Sequence, residues 1–403
     1  NQKGMGRHDF FTAEDLLKQS SKLGVETSDE HSLALPPLTA MTLRFDGHGR
    51  PAEVLRASPA PLPTHLRHGE VLLHMLAAPV TDDDLLRVQT PLTVLNDYPP
   101  FNRMGRKWAE VPLPATAGGR GVGGVRASAP GVPGRKSGAY EVKDWVVVRP
   151  NARLAPLGTW STLVVADTSQ LVRVAPQLMP VPQLACAAAL ATAYRILEDY
   201  GSLHPGDAII QNAAELPVGQ AVIQLCKMLK IRTINLIADD ELFDATAARL
   251  TELGATHVLR DAAKHLGGDL VAKVGGMAPR LAIDALGGEA GRRLMVALRP
   301  EGAFVMHSLQ SGTVPTVSPS LLMYQQVSLH GFNLAEWVDD NGVDAYSQML
   351  EALGELARGS KLELDANLID ASRLDQAALG KILGAHGGGA APRQGAVLVF
   401  SDE

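Results

Sequence analysis

Two cysteines in 403 residues, Cys186 and Cys226, are too few for a disulfide framework or for a four-ligand zinc site of their own. Both lie in apolar, helix-like settings and read as core residues. Positive charge is not in surplus either. With 37 basic against 43 acidic residues the net charge is −6. That argues against a generic polyanion binder, whose affinity would come from excess Lys and Arg. The longest apolar run, Leu184 to Ala191, is too short to cross a bilayer. The twelve histidines show no metal-ligand spacing, and His257 and His330 read as structural hydrogen-bonders. Aromatic residues reach only 4%, so few tyrosines exist to serve as a proton donor. These exclusions leave a globular protein of a reducing compartment, long enough for two domains.

Glycine (39) and proline (26) are plentiful and mark the turns. Residues 1–38 carry mixed charge with one short amphipathic stretch, Phe10 to Leu17, and read as an extension ordered by a partner. Asn1 in place of Met is compatible with removal of an upstream segment, a transit peptide among the candidates. Thr39–Phe45, Glu70–Ala78 and Asp144–Arg149 read as strands between Gly/Pro turns. Pro112–Gly138 reads as a loop excursion, and Gly384–Pro392 as a second Gly-rich loop.

From Cys186 the pattern alternates. Ala208–Ala214, Arg232–Ala238, His257–Leu259, Leu281–Ala285 and Gly302–Met306 are predicted strands; Val218–Lys230 and Ala245–Leu253 are predicted helices. Such alternation implies a parallel sheet covered by helices. Ala345–Arg358 and Gly395–Phe400 then predict a helix and a closing strand. A β-rich start, an α/β middle and a mixed end place the middle as an insertion.

The turn after Ala208–Ala214 is where a dinucleotide fold carries its glycine fingerprint. With Gly219 as the third, helix-packing position, Ala214 stands at the first and Leu216 at the second. Leu216 puts a branched side chain where pyrophosphate approaches, Glu215 adds negative charge, and Pro217 removes a backbone donor. About twenty residues on, Asp239 and Asp240 have two open roles. One holds a ribose 2′-hydroxyl, as in NAD sites; the other caps the next helix or faces solvent, which the damaged turn favours. No Arg or Lys lies between Thr233 and Phe243, so a 2′-phosphate is disfavoured.

Several runs carry a resemblance: Ile210-Gln211-Asn212-Ala213, Val218-Gly219-Gln220-Ala221-Val222-Ile223-Gln224, Arg232-Thr233-Ile234-Asn235, Leu253-Gly254-Ala255-Thr256-His257-Val258, Leu157-Gly158-Thr159-Trp160, Thr192-Ala193-Tyr194-Arg195, and Gly331-Phe332 with Leu334 and Trp337. Together, over roughly residues 39–400, the chain resembles mitochondrial trans-2-enoyl-thioester reductases of the medium-chain dehydrogenase/reductase superfamily. The resemblance implies an α/β architecture: a GroES-like β domain (39–180 and 335–403) with an inserted Rossmann-type parallel-sheet domain (181–334), after the 1–38 extension. It also implies no zinc, a homodimer, and NADPH-dependent reduction of 2-enoyl-CoA or 2-enoyl-acyl carrier protein.

The family's functional positions are less well kept. Its catalytic tyrosine follows an Asp-containing loop, here Val80–Gln89 with Asp84; a gap-free count puts Leu92 at that position, and Tyr98 lies six residues further on. The family's Gly-Gly-Asn-Glu-Gly turn reads Gly118-Gly119-Arg120-Gly121. Basic residues that would pair with the 2′-phosphate are replaced by Ala238-Asp239-Asp240, and the later glycine-paired loop reads His307-Ser308-Leu309. A tyrosyl O–H can donate to a developing enolate or protonate carbon; leucine can do neither. The expectation is a catalytically inactive relative without cofactor, retained as a structural subunit of a mitochondrial matrix assembly, either a ribosome or its assembly intermediate or a respiratory complex. The N-terminal extension and the Pro112–Gly138 loop are the expected contact elements. The rival expectation is an active reductase using NADH or NADPH, with Tyr98 as donor and Asn212, Ala214, Gly219 and Asp239 as cofactor-binding residues. One local basic excess remains: Arg103, Arg106, Lys107, Arg120, Arg126, Arg135 and Lys136. It reads as a solvated loop face or, with Phe101 and Trp108 as anchors, as a contact surface for RNA phosphates or an acidic protein patch.

Overall fold

The computed structural model describes residues 32–90, 111–130, 140–151, 155–261, 272, 274–359, 361–375, 377–380, 382 and 395–400. Residues 1–31 of the extension, Leu92, Tyr98, Phe101, Arg103, Arg106, Lys107, Trp108, Arg135, Lys136 and the 384–392 loop lie outside these residues. The last part of the 1–38 extension belongs to the fold: Leu33–Ala34 pairs antiparallel with His65–Leu66, and Leu35 is buried.

Strand β1 (Thr39–Phe45) pairs antiparallel with β2 (Arg56–Pro61). The long strand β3 (Glu70–Val80) is buried along nearly its whole length, which its apolar run Val71–Leu73 and Met75–Val80 demands. It ends at helix α1 (Asp82–Gln89), whose N-cap Thr81 accepts from the Asp84 amide through its hydroxyl and donates that hydroxyl to Asp84 Oδ2 at 2.7 Å.

The Pro112–Gly138 segment is not a loop excursion throughout. It contains β4 (Val122–Ser128), which pairs antiparallel with β3 and with β5 (Trp145–Val148) inside the larger β sheet. The glycines are there for close approach. A Cβ on Gly123 would stand 2.9 Å from the His74 carbonyl oxygen, and one on Gly121 2.8 Å from that of Ala77. Composition suggested a loop; packing against β3 makes it a strand.

The second unit is a parallel sheet. Strands β6 (Ala208–Gln211), β7 (Arg232–Ile237), β8 (His257–Arg260), β9 (Leu281–Asp284), β10 (Ala303–Met306) and β11 (Ser328–Gly331) lie in the order β8-β7-β6-β9-β10-β11. Strand β6 ends at Gln211, three residues before the expected end, because Ala213 turns into the left-handed region (φ 48°). Helix α2 (Ala187–Asp199) and helix α3 (Pro217–Leu229) share one apolar cluster with Ile209, Leu281 and Val305 from the sheet. Cys186 and Cys226 are buried in the same cluster, and burial pushes the Cys186 thiol up to about 12. Helix α4 (Phe243–Leu253) closes on Gly254, whose φ of 116° only glycine adopts without strain.

After helix α5 (Val343–Arg358) the chain returns to the β sheet. Strand β12 (Asn367–Asp370) pairs parallel with β13 (Ala396–Val399), which pairs antiparallel with β3. On the way, residues 362–365 run along α3 as a substitute strand. Gln224 donates to the Glu363 carbonyl and accepts from its amide (2.6 and 2.8 Å); Gln220 does the same for Asp365 (3.2 and 2.8 Å). Arg249 Nη2 adds a bond to Asp365 Oδ1 at 3.0 Å. Removing a glutamine strands two backbone groups at once. Gln220→Ala or Gln224→Ala is expected to cost about 1–3 kcal/mol, seen as a lower denaturant midpoint with faster amide exchange confined to residues 362–366.

Candidate active site

The carboxyl ends of the parallel strands face the β domain across a cavity of about 530 Å³. Asp82 lines one side; Leu286–Ala290, Gln310, Ser311 and Thr313 line the other. That volume suits a small-molecule cleft.

On the β-domain side two sequence motifs meet. Gly118 accepts from the amides of Gly158 and Thr159 (2.8 and 3.0 Å), while Thr159 Oγ1 donates to the Arg120 carbonyl at 2.7 Å. A Cβ on Gly118 would fall 2.4 Å from the Trp160 ring, itself fully buried and donating to Pro79. The turn is therefore rigid, and it aims Arg120 at Asp83, 3.5 Å away. Arg120 is thus paired with α1, its side chain about a third exposed (31%), while Arg126 lies exposed on β4. Burial pushes the Asp84 carboxyl up, opposed by the Thr81 hydroxyl and by the charges of Arg120 and Arg87.

Across the cleft, His307 follows β10. Burial lowers its imidazole to about 4, with Asp83 opposing and Arg120 reinforcing the shift. The loop that follows is zipped to the glycine pair: Gly288 donates to the Thr313 carbonyl at 2.6 Å, and a Cβ on Gly287 would meet Leu309 at 2.5 Å.

Asn212 is engaged at both ends, donating to Asp284 Oδ1 at 2.6 Å and accepting from the Ala285 amide at 2.8 Å. Burial raises the Asp284 carboxyl, against bonds from Asn212, Gly287 and Leu286. Asn212 therefore ties the β6 turn to the β9 turn. Gly219 packs helix on strand: a Cβ there would stand 2.5 Å from Ala214 Cα. Leu216 occupies the N-cap of α3 without a capping bond and Pro217 the first turn, against Gly395, whose Cβ would be 2.8 Å from the Pro217 ring. Glu215 is buried beside them. The donor set of this turn is a poor match for a pyrophosphate: Leu216 stands at the N-cap, Pro217 has no amide hydrogen to donate, and the buried Glu215 adds negative charge.

The adenosine end differs. Asp239 Oδ1 accepts from Arg260 Nη1 at 2.7 Å, and Arg260 Nη2 lies 3.5 Å from Asp244. The guanidinium sits 3.8 Å above the Phe243 ring. Asp240 caps the start of the next turn through the Leu242 amide at 3.1 Å. Reading between Thr233 and Phe243 missed Arg260. The parallel register pairs Ile237 with Arg260, so the cation arrives from the next strand. No local sequence signal carries that register, which only strand pairing reveals.

Comparison with known proteins gives this geometry a lineage. Residues 217–355 match the family model described as zinc-binding dehydrogenase. Mitochondrial enoyl-acyl-carrier-protein reductases from mouse (32% identical, 83% of each chain covered) and Xenopus tropicalis (35%, 81% of this chain and 87% of the relative) align with it. The chain belongs to this reductase family. Its medium-chain dehydrogenase/reductase fold is shared by Etr1p solved with NADP and crotonyl-CoA (TM-score 0.69, 21% identical, 90% and 100% covered). A putative NADPH:quinone reductase from Bacillus thuringiensis also shares it (0.70, 20%, 91% and 100%). Among the described residues of this family member no group of three or more His, Cys, Asp or Glu is placed to hold a metal.

His307 yields a pH prediction. Its folded-state value lies below that of a free imidazole, so the unfolded chain binds more protons between about pH 6.5 and 4. Its contribution to stability is present above that window and lost as pH falls through it. The ring should titrate near 4 by NMR, and His307→Gln should flatten the stability–pH curve across the window.

Proposed function

We propose that this protein keeps the enoyl-thioester-reductase fold without the reductase chemistry and serves as a structural subunit of a large mitochondrial matrix assembly. One observation carries the reading. The start of α3, where a dinucleotide's pyrophosphate would rest, carries Leu216 at its N-cap, Pro217 packed against Gly395 with no amide hydrogen to donate, and the buried Glu215. The sequence adds Leu92 at the tyrosine position and Arg120 for the family's glutamate. The names of the relatives support a mitochondrial location. A ribosome, its assembly intermediate, or a respiratory complex are the hosts considered. The 1–38 extension and the basic residues Arg103, Arg106, Lys107 and Arg126 offer contact, the last group to protein or locally to RNA.

A homodimer is part of the proposal. Strand β11 is a sheet edge exposed at all four residues, and Leu322, Met323, Tyr324 and Leu329 lie exposed on or beside it. One solved neighbour is itself described as an Etr1p/Etr2p heterodimer from Candida tropicalis. Met323→Lys with Leu329→Lys should convert the dimer to a monomer in light scattering.

The second reading is an active reductase using NADH, or NADPH, with Tyr98 as proton donor. The exposed Asp239 carboxylate at the end of β7 favours it. Purified protein separates the two. The structural reading expects no tight NADH or NADPH fluorescence change and no turnover of a trans-2-enoyl thioester; either one would overturn it. In a fractionated mitochondrial lysate the protein should migrate with a large assembly, and migration only as a free dimer would count against that role.

A further inference from the structure

We infer that Asn341–Gly342 is a modification site: a self-deamidating pair whose rate is set by unwinding of the last turn of the helix Leu334–Asn341. The inference lies outside the cleft and holds whether or not the protein reduces a thioester.

Chemistry selects the pair. Asn341–Gly342 is the only Asn-Gly step in the sequence, and both residues are exposed. In such a step the glycine amide nitrogen attacks the asparagine Cγ. The new N–Cγ bond closes a succinimide, the Cγ–Nδ2 bond breaks, and the amide proton leaves with the departing nitrogen as ammonia. Water then opens the ring at either carbonyl, giving aspartate or isoaspartate. Solvent is the only co-reactant, and nothing is oxidised or reduced. Glycine favours the attack because no Cβ shields its nitrogen. The fold cannot dispense with it, since Gly342 turns the chain into α5 at φ 89° and ψ 162°, a region essentially restricted to glycine.

Geometry sets the rate. Asn341 Nδ2 donates to the Trp337 carbonyl at 2.9 Å, which turns the side-chain amide back along the helix. The Gly342 amide donates to the Val338 carbonyl, also at 2.9 Å, so the attacking nitrogen keeps its proton in a helical bond. Both bonds must break before nitrogen and Cγ can meet. Leu334 and Val338 are buried in the core, and the Arg195 guanidinium lies 4.9 Å from the centre of the Trp337 ring, so the helix is anchored up to Val338. Beyond it Asp340, Asn341 and Gly342 are all exposed. The last turn therefore opens alone, at a smaller free energy than global unfolding.

The product marks that opening irreversibly. A carboxylate at position 341 cannot donate to the Trp337 carbonyl. It adds negative charge at the negative end of the helix, near Asp339, Asp340 and Asp344 in the chain. Isoaspartate also lengthens the main chain by one carbon just before α5, whose Tyr346, Met349, Leu350 and Leu353 are buried.

The test incubates the purified full chain in mildly alkaline buffer. Peptide mass spectrometry follows the mass gained at Asn341 when NH2 becomes OH, and labelled methyl transfer by an isoaspartyl methyltransferase counts the isoaspartate. A free peptide spanning 334–346 gives the unprotected rate. The native chain should deamidate at Asn341 about ten-fold or more slower than the peptide. Amide exchange at Gly342 gives the opening constant without any substitution, and its product with the peptide rate should reproduce the native rate. Asp340→Pro breaks the exposed last turn and should bring the rate within about two-fold of a peptide carrying the same change. A retained cooperative thermal transition shows that its core is intact. Asn341→Gln should abolish the mass gain at that position. Three results overturn the inference: a native chain still unmodified when the exchange-derived opening requires full conversion, a native rate equal to the peptide's, or an Asp340→Pro rate equal to the native one. None depends on nucleotide binding or on co-migration with an assembly, so failure here and failure of the structural-subunit reading are separately visible.

Discussion

The contact between Gly219 and Ala214 sets the centre of the molecule. Helix α3 can lie this close to the turn after β6 only because position 219 lacks a Cβ, which would fall 2.5 Å from Ala214 Cα. The approach brings the Gly219 carbonyl to 3.0 Å from Gln211 Nε2, which also donates to Asn235 Oδ1. Asn235 in turn donates to Thr233 Oγ1 and the His257 carbonyl, so one buried polar chain crosses three strands beneath the helix. Buried amides of this kind are costly unless every group is paired. Their pairing depends on the helix staying where Gly219 lets it sit.

Fixing α3 also fixes what α3 holds. Its outer glutamines grip residues 362–365, and that segment delivers β12 and β13 back to β3. Position 395, just before β13, then closes over Pro217. The close approach of α3 thereby completes a frame in which Pro217 packs against Gly395. The family frame and the covered position of Pro217 are consequences of one packing arrangement.

The two ends of the cleft obey different electrostatics. At the α3 end stand the aliphatic Leu216 and Pro217, and the nearby charge is the buried Glu215 carboxylate. At the adenosine end a guanidinium from β8 balances the carboxylates after β7. Between them Arg120 lies 3.5 Å from Asp83, and its charge acts on His307. These departures reshape the surface of the site and leave the apolar layers beneath it untouched.

Much of the frame was legible from local pattern. Alternating short apolar runs with helices of the right length allow little other than a parallel sheet, and Gly219 announces its packing role from its place in the turn. Leu92 and Tyr98 were likewise matters of counting, although they fall outside the described residues. What composition misread was 122–128, where glycine meant close strand packing rather than a loop. What a linear window could not contain was Arg260, twenty-one residues from the aspartate it pairs with. Hydrophobic periodicity and backbone chirality act within a few residues, so the sequence by itself determined the elements and their parallel arrangement. Charge pairing and packing act through space, so only the tertiary structure decided that Asp239 is partnered, that Arg120 pairs with Asp83, and that Pro217 meets Gly395.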